Sequence, residues 1–178
     1  SVWYRNFKSD LYIDISSIDR VTKKISETKE VVGRNAPSRA RKIVKTGDIV
    51  LSTTRPNLNA VAMIPPEFDN QICSTGFCVL RPRESVDKEY LFAFTKHDQF
   101  VMNLSALVKG ALYPAVTDRQ VFEQSIPLPS LDTQKAIVRD LNVCRNNVTK
   151  LRLCAEKQLA EINNISLSML RKAFKGEL

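Results

Sequence analysis

Seven side chains in three polar stretches have the chemistry needed to contact the bases of a nucleic acid. Arginine, asparagine and lysine make directed contacts to base edges, whereas contacts to phosphate only position a protein. The candidates lie in a basic stretch, in a segment after an apolar run and in a later segment that contains a glycine. They are Arg39, Arg41, Arg55, Asn57, Asn59, Lys109 and Tyr113. These residue types would suit a nucleic-acid-contacting surface built from loops.

Each candidate also has an interpretation without base recognition. Arg39 and Arg41 could contact only solvent or phosphate, and we favour phosphate for at least one of them. Asn57 and Asn59 could serve only to make a turn. Tyr113, which precedes a proline, fits packing between a loop and a helix as well as it fits a DNA contact.

The charge distribution favours a polyanionic partner only weakly. The chain of 178 residues has a formal net charge of +8 and a pI of about 9.5. Residues 1–60 carry 12 basic and 6 acidic side chains, a net charge of +6. A basic segment of this kind is typical of proteins that bind nucleic acids, but it also describes an ordinary solvated surface.

Catalytic motifs are absent from the sequence. The single histidine, His97, lies in a charged stretch, and there is no phosphate-binding or dinucleotide-binding glycine motif. The four cysteines form no CxxC pair, so we expect no zinc site and interpret them as small buried side chains in a reducing compartment. We predict a cytoplasmic protein with no catalytic, cofactor-binding or metal-binding residue of its own and no membrane span.

The pattern of apolar residues predicts an α+β protein in two parts. A globular mixed α/β domain is expected over residues 1–130, and one long helix over residues 131–178 with Asp132 as its N-cap. Residues 20–42 are basic and polar and are expected to form an exposed loop. Strands are predicted at 11–15, 49–54, 60–64 and 77–80, and short helices at 86–96, 98–107 and 118–122.

The long helix carries an apolar seam with alternating spacings of three and four residues. This 3.5-residue period is typical of a coiled coil and requires a partner helix. The seam residues are Ile137, Leu141, Cys144, Val148, Leu151, Ala155, Ile162, Ile165 and Met169, with Gln158 and Lys172 as its polar members. Further apolar residues beside the seam, such as Leu153, Leu167 and Phe174, indicate a second contact surface.

An ordered set of short stretches resembles the specificity subunit of Type I restriction–modification enzymes. The set consists of Ser38-Arg-Ala-Arg41, Thr46-Gly-Asp-Ile-Val-Leu-Ser52, Arg55-Pro56, Ser74-Thr-Gly-Phe77, Val79-Leu-Arg-Pro82, Lys109-Gly-Ala-Leu-Tyr-Pro114, Ile126-Pro-Leu-Pro129, Gln134-Lys-Ala-Ile-Val138 and Leu170-Arg-Lys-Ala-Phe-Lys-Gly-Glu-Leu178.

The resemblance implies a non-catalytic subunit that reads one half of a bipartite site in double-stranded DNA. In that family, methyltransferase subunits use S-adenosylmethionine, a motor-nuclease subunit completes the restriction enzyme, and ATP and Mg²⁺ belong to those partners. Family members carry two recognition domains and two antiparallel helical spacers, whereas this chain has one of each. It is therefore expected to be either a half-subunit that forms a homodimer on a symmetric site or the C-terminal half of a longer protein.

Two other classes of function compete with this hypothesis. The first is a structural or oligomerisation protein whose basic surface is incidental. The second is a nuclease or methyltransferase, which the missing catalytic motifs make the least favoured of the three.

Overall fold

The computed structural model describes residues 9–32, 35–108 and 114–176, and contacts divide the chain into two compact units between Lys135 and Ala136. The strands of this described part are β1 (Ser9–Ile13), β2 (Ile18–Asp19), β3 (Lys24–Ile25), β4 (Lys29–Val32), β5 (Ala40–Ile43), β6 (Ile49–Ser52), β7 (Val61–Met63), β8 (Ile72–Ser74) and β9 (Phe77–Leu80). Its α-helices are α1 (Lys88–Thr95), α2 (Asp98–Ala106), α3 (Asp118–Phe122) and α4 (Leu131–Lys175). The predicted α+β class is confirmed.

Strand β6 lies at the centre of a three-stranded antiparallel sheet with the order β7-β6-β9. All four of its residues are buried, because both faces of this sheet are covered. Val50 packs with Ile13 and Cys73 on one face, whereas Leu51 packs with Phe100 and Leu104 of α2 on the other. The continuous apolar run in the sequence therefore reflects a strand between two hydrophobic clusters.

A four-stranded sheet with the order β4-β1-β8-β5 lies on the side of the first cluster. Strands β1 and β8 pair in parallel, and the other neighbours pair antiparallel. The prediction of a loop over residues 20–42 is wrong, because this stretch contains β3, β4 and most of β5. The polar composition misled the prediction: β4 is an edge strand that exposes Lys29 and Glu30, as edge strands commonly do.

The short helices form where capping residues precede apolar side chains. The Asp87 carboxylate accepts hydrogen bonds from the backbone N–H groups of Glu89 and Tyr90 at the start of α1. Thr117 and Gln120 form a reciprocal capping box at α3, whose bounds agree with the predicted helix over residues 118–122. His97 accepts a hydrogen bond from the backbone N–H of Gln99, so it caps α2.

Helix α4 has 45 residues, which corresponds to a length of about 65 Å at 1.5 Å per residue. It begins one residue before Asp132, so the prediction of Asp132 as the N-cap is wrong. Ser130 precedes the first turn, and its hydroxyl accepts a long hydrogen bond of 3.4 Å from the backbone N–H of Thr133. Gly176, in the left-handed region with φ +70°, follows the last helical residue. The separate roles assigned to residues 1–130 and 131–178 stay predictions.

The predicted seam of α4 lies exposed along the helix. The exposed fraction of Leu151 is 70%, and Cys144 in the seam and Cys154 beside it are also exposed. The expectation of four buried cysteines is therefore wrong for these two, because the described residues of the chain do not cover the helix. It is correct for Cys73 and Cys78, whose burial raises the pKa of each thiol to about 12.

Gln134 ties the first turn of α4 to the globular unit, and its side chain is fully buried. Its Oε1 accepts a hydrogen bond of 2.8 Å from the backbone N–H of Asp87. Its Nε2 donates to the backbone oxygens of Ser85 at 3.1 Å and Pro129 at 2.8 Å. One amide side chain thus makes hydrogen bonds to three backbone groups that lie outside regular secondary structure.

We expect Gln134→Ala to lower the free energy of unfolding by about 2–3 kcal/mol, because it leaves three backbone groups without their partner. Urea denaturation followed by near-ultraviolet circular dichroism measures this loss. The neighbouring exposed Lys135→Ala is the matched control, with an expected change within about 0.5 kcal/mol. Equal stability of the two variants would contradict the role given to Gln134.

Candidate nucleic-acid interface

The turn between β8 and β9 connects two of the predicted DNA-contacting stretches. The backbone N–H of Thr75 donates to the carbonyl oxygen of Arg39 at 2.8 Å. On the other side of the turn, the backbone N–H and the hydroxyl of Thr53 both donate to the carbonyl oxygen of Gly76 at 2.9 Å. The start of β5 and the end of β6 therefore lie on either side of this turn.

The third predicted stretch lies near the same turn, because residues that follow it bond to the segment after β6. We call this region, formed by the Arg39, Thr75 and Arg55 segments, the candidate edge. The backbone N–H of Arg55 donates to the carbonyl oxygen of Pro114 at 2.8 Å, and that of Val116 donates to Thr53 at 2.9 Å. Lys109 and Tyr113 themselves lie outside the described residues, so their contacts stay predictions. Pro114, which directly follows their segment, nevertheless lies beside Arg55.

The segment from Arg55 to Asn59 is a single turn of 3₁₀-helix with unusual ends. Both end residues lie in the left-handed region, with φ +50° for Arg55 and +43° for Asn59. Asparagine adopts this conformation readily, but for arginine it costs about 1–2 kcal/mol. Strained backbone of this kind is concentrated at functional sites, where the conformation orients a side chain.

The side chains of this segment differ in their surroundings. Those of Arg55 and Asn57 are exposed. Asn59 is half-buried, and its Oδ1 has no hydrogen-bond partner among the described residues. Its backbone oxygen accepts a 2.6 Å hydrogen bond from Lys23 Nζ. Arg55 and Asn57 are thus available to an external partner, whereas Asn59 holds the turn.

Arg39 and Arg41 do not share one loop, contrary to the prediction of a basic loop. Arg39 is exposed in the turn before β5, whereas Arg41 lies within that strand. Arg41 Nε donates to the backbone oxygen of Ser38 at 2.6 Å, so this side chain folds back over its own turn. Of the two, Arg39 has the greater freedom to reach a nucleic acid.

An ion pair between Lys42 and Asp118 lies next to the β8–β9 turn. Lys42 Nζ contacts the Asp118 carboxylate at the start of α3 and donates to the backbone oxygen of Phe77 at 2.6 Å. These groups fix the start of α3 against the first residue of β9. Sequence reasoning missed both Lys42 and the exposed Thr75, although Thr75 lies in one of the stretches that carry the family resemblance.

The opposite end of β6 carries a second charged region, a groove of about 510 Å³. The buried Asp48 carboxylate accepts two hydrogen bonds from Arg81, at 2.8 and 2.6 Å, and this pairing raises the pKa of Arg81. Lys45 and Lys88 line the groove. Since Asp48 directly precedes β6 and Thr53 directly follows it, the groove and the candidate interface lie at opposite ends of the same strand.

The described residues contain no group of three or more histidine, cysteine, aspartate or glutamate side chains that could hold a metal ion. A search of the same residues found no helix with the length and hydropathy needed to cross a membrane.

Comparison with known proteins identifies the family. Residues 7–164 match the family described as Type I restriction modification DNA specificity domain. The chain belongs to this family, as the resemblance implied.

Relatives and solved structures agree with this assignment. The chain is 29% identical over 133 residues to the Type I restriction enzyme EcoDI specificity subunit of Escherichia coli, covering 75% of this chain and 29% of that protein. It is 25% identical over 177 residues to the StySPI specificity subunit of Salmonella potsdam, covering 97% of this chain and 38% of that protein. The chain thus spans less than two fifths of either relative.

The fold is similar to that of the HsdS subunit from Thermoanaerobacter tengcongensis. The TM-score is 0.76 at 42% identity, over 82% of this chain and 38% of that one. A second structure, from a study of complex assembly and conformational transition of the type I R-M system, matches with a TM-score of 0.76 at 43% identity, again over 82% of this chain and 38% of that one.

We expect Arg55→Gly to raise the free energy of unfolding by about 1 kcal/mol, because glycine removes the steric cost of the left-handed conformation. The same change should weaken DNA binding by about tenfold or more through loss of the guanidinium. Urea denaturation and fluorescence anisotropy with duplex DNA measure the two effects.

The matched control is Arg55→Ala, which loses the guanidinium but keeps the strained backbone. It should weaken DNA binding equally and bring no gain in stability. Unchanged DNA affinity in both variants would remove Arg55 from the interface.

Proposed function

We propose that this chain reads one half of a bipartite sequence in double-stranded DNA as the specificity component of a Type I restriction–modification system. The observation that carries the proposal is the convergence of the Arg39, Thr75 and Arg55 segments on one edge, in a chain that belongs to the specificity-domain family. Exposed arginine and threonine side chains on ordered turns supply the directed contacts that base recognition needs.

The proposed role is non-catalytic. Methylation with S-adenosylmethionine would belong to methyltransferase subunits bound to the same assembly, and ATP and Mg²⁺ to a motor-nuclease subunit. The names of the relatives, all specificity subunits, support this division of labour. A protein that helps to mark or restrict DNA in this way would act in the cytoplasm.

The proposal includes a homodimer formed through antiparallel α4 helices. The seam residues repeat with the 3.5-residue period of a coiled coil and lie exposed, from Ile137 at 37% to Leu151 at 70%. Water contact over so many apolar side chains is costly, at about 25 cal/mol for each Å² that a partner helix would cover. A second copy supplies an identical seam, and its two-fold symmetry would demand a symmetric split site.

Selection from a pool of randomised duplexes tests the DNA-reading function. We expect the chain, alone or with methyltransferase subunits, to enrich two inverted half-sites separated by a fixed gap. Affinity for the selected duplex should fall steeply with salt, since each neutralised phosphate makes the slope of log K against log salt more negative by about 0.9.

DNA binding without sequence preference would refute the proposed DNA-reading function. The absence of DNA binding even with methyltransferase subunits present would refute it as well. Either result would favour the alternative, an oligomerisation protein with an incidental basic surface. Enrichment of a single half-site would instead favour a chain whose partner helix comes from the same longer protein.

We expect Leu151→Asp to convert the dimer to a monomer in analytical ultracentrifugation, because it places a carboxylate in the apolar seam. Thr149→Asp, two residues earlier on the outer face of the same heptad, is the matched control and should leave the mass unchanged. Thiol alkylation gives a second measurement. Cys144 in the seam should be protected from alkylation in the dimer and should react in the Leu151→Asp monomer. An unchanged mass for Leu151→Asp would refute the pairing.

A further inference from the structure

Strands β2 and β3 form a two-stranded hairpin with a well-ordered tip. The Asp19 carboxylate accepts hydrogen bonds from the backbone N–H of Val21 at 2.8 Å and from the hydroxyl of Thr22 at 2.7 Å. These hydrogen bonds lower the pKa of Asp19, so the carboxylate stays ionised and holds the turn at neutral pH. The base of the hairpin is anchored because Ile18 is buried in the core and Ile25 packs against it.

The tip presents an apolar side chain between two cations. The exposed fraction of Val21 is 87%. The side chains of Arg20 and Lys24 are exposed as well, and within the described part of the chain neither side chain makes a hydrogen bond or an ion pair. One exposed valine is common on protein surfaces. Here, however, it stands at the apex of a turn that a carboxylate holds in place.

The hairpin lies beside the candidate interface. Lys23, with φ +58°, directs its Nζ to the backbone oxygen of Asn59, so the tip is fastened to the segment that begins at Arg55. Partial burial lowers the pKa of Lys23, and the side chain is half-buried beside this contact. Strand β3 also lies against β7, which starts two residues after Asn59.

We propose that this hairpin is a further DNA-contacting element, in which Arg20 and Lys24 bind phosphates and Val21 contacts the C5-methyl group of a thymine in the major groove. The proposal rests on the DNA-reading function proposed above. The major groove admits a two-stranded β-ribbon, its rims are phosphates, and thymine presents an apolar methyl group within it. The hairpin offers the matching arrangement, an apolar apex between two cations on a two-stranded ribbon.

Salt dependence of binding tests the phosphate contacts, with the full chain and the duplex obtained by selection. We expect the double variant Arg20→Gln with Lys24→Gln to make the negative slope of log K against log salt less steep by about 1.8 for each half-site bound, since two phosphate contacts are lost there. The matched control, Lys45→Gln with Lys88→Gln, removes the same charge at the opposite end of β6 and should keep the slope of the wild type.

The outcomes separate this inference from the function on which it rests. If the wild type binds its duplex and the hairpin variant keeps the wild-type slope, the inference falls and the DNA-reading function stands. If the wild type shows no sequence preference, both the DNA-reading function and the inference about the hairpin are refuted. Circular dichroism of each variant confirms that the fold is retained.

Uracil substitution tests the contact of Val21, because uracil pairs as thymine does but lacks the C5-methyl group. Replacing each thymine of the selected site in turn should weaken wild-type binding several-fold at one position. In the Val21→Ser variant that position should become insensitive, whereas Leu128→Ser, which removes another exposed apolar side chain, should retain the sensitivity. If no position loses its sensitivity in Val21→Ser, the methyl contact is refuted.

Discussion

The complete burial of strand β6 is the constraint on which the rest of the globular unit depends. Val50 lies in one hydrophobic cluster and Ile49 and Leu51 lie in the other, so the sheet on one face and the helices on the other pack against the same strand. At one end, the Asp48–Arg81 pair satisfies a buried carboxylate. At the other, Thr53 bonds to the β8–β9 turn. The candidate interface therefore adjoins a fully buried strand, and recognition residues are held most precisely when they are attached to regular elements of the scaffold.

The edge that gathers the candidate residues combines rigid and strained backbone. Thr53 and Gly76 are joined by two hydrogen bonds, whereas Arg55 occupies a conformation that arginine disfavours. Such strain persists only where the surroundings determine the conformation, and here the backbone bond to Pro114 does so. The unpartnered Oδ1 of Asn59 adds a second departure from ideal structure in the same turn. Both departures agree with the DNA-contacting role proposed for this part of the molecule.

Features with a strong local pattern were predictable from the sequence, and those that depend on distant contacts were not. The heptad repeat predicted α4, and the short helix over residues 118–122 was predicted with the bounds that α3 has. By contrast, β4 and β5 escaped detection because their polar residues suit a loop, and only pairing with β1 and β8 makes them strands. Residue types suggested Arg55, but the role of Gln134 needed a buried pocket whose parts are up to 49 residues apart. Thr75 has no distinctive chemistry and gains interest only from its position between Arg39 and Thr53.

The two parts of the chain are stabilised in different ways, and this has a consequence for DNA recognition. The globular unit has its own core, whereas a helix such as α4, with an exposed apolar seam, gains its stability largely from packing against a partner. Formation of a homodimer would depend on protein concentration, whereas folding of the globular unit would not. Contacts within one half-site would then persist at dilution, while the requirement for a fixed gap would weaken as the helices separate. Sequence preference and spacing preference are therefore separable properties of the proposed assembly, one local to a unit and the other a product of association.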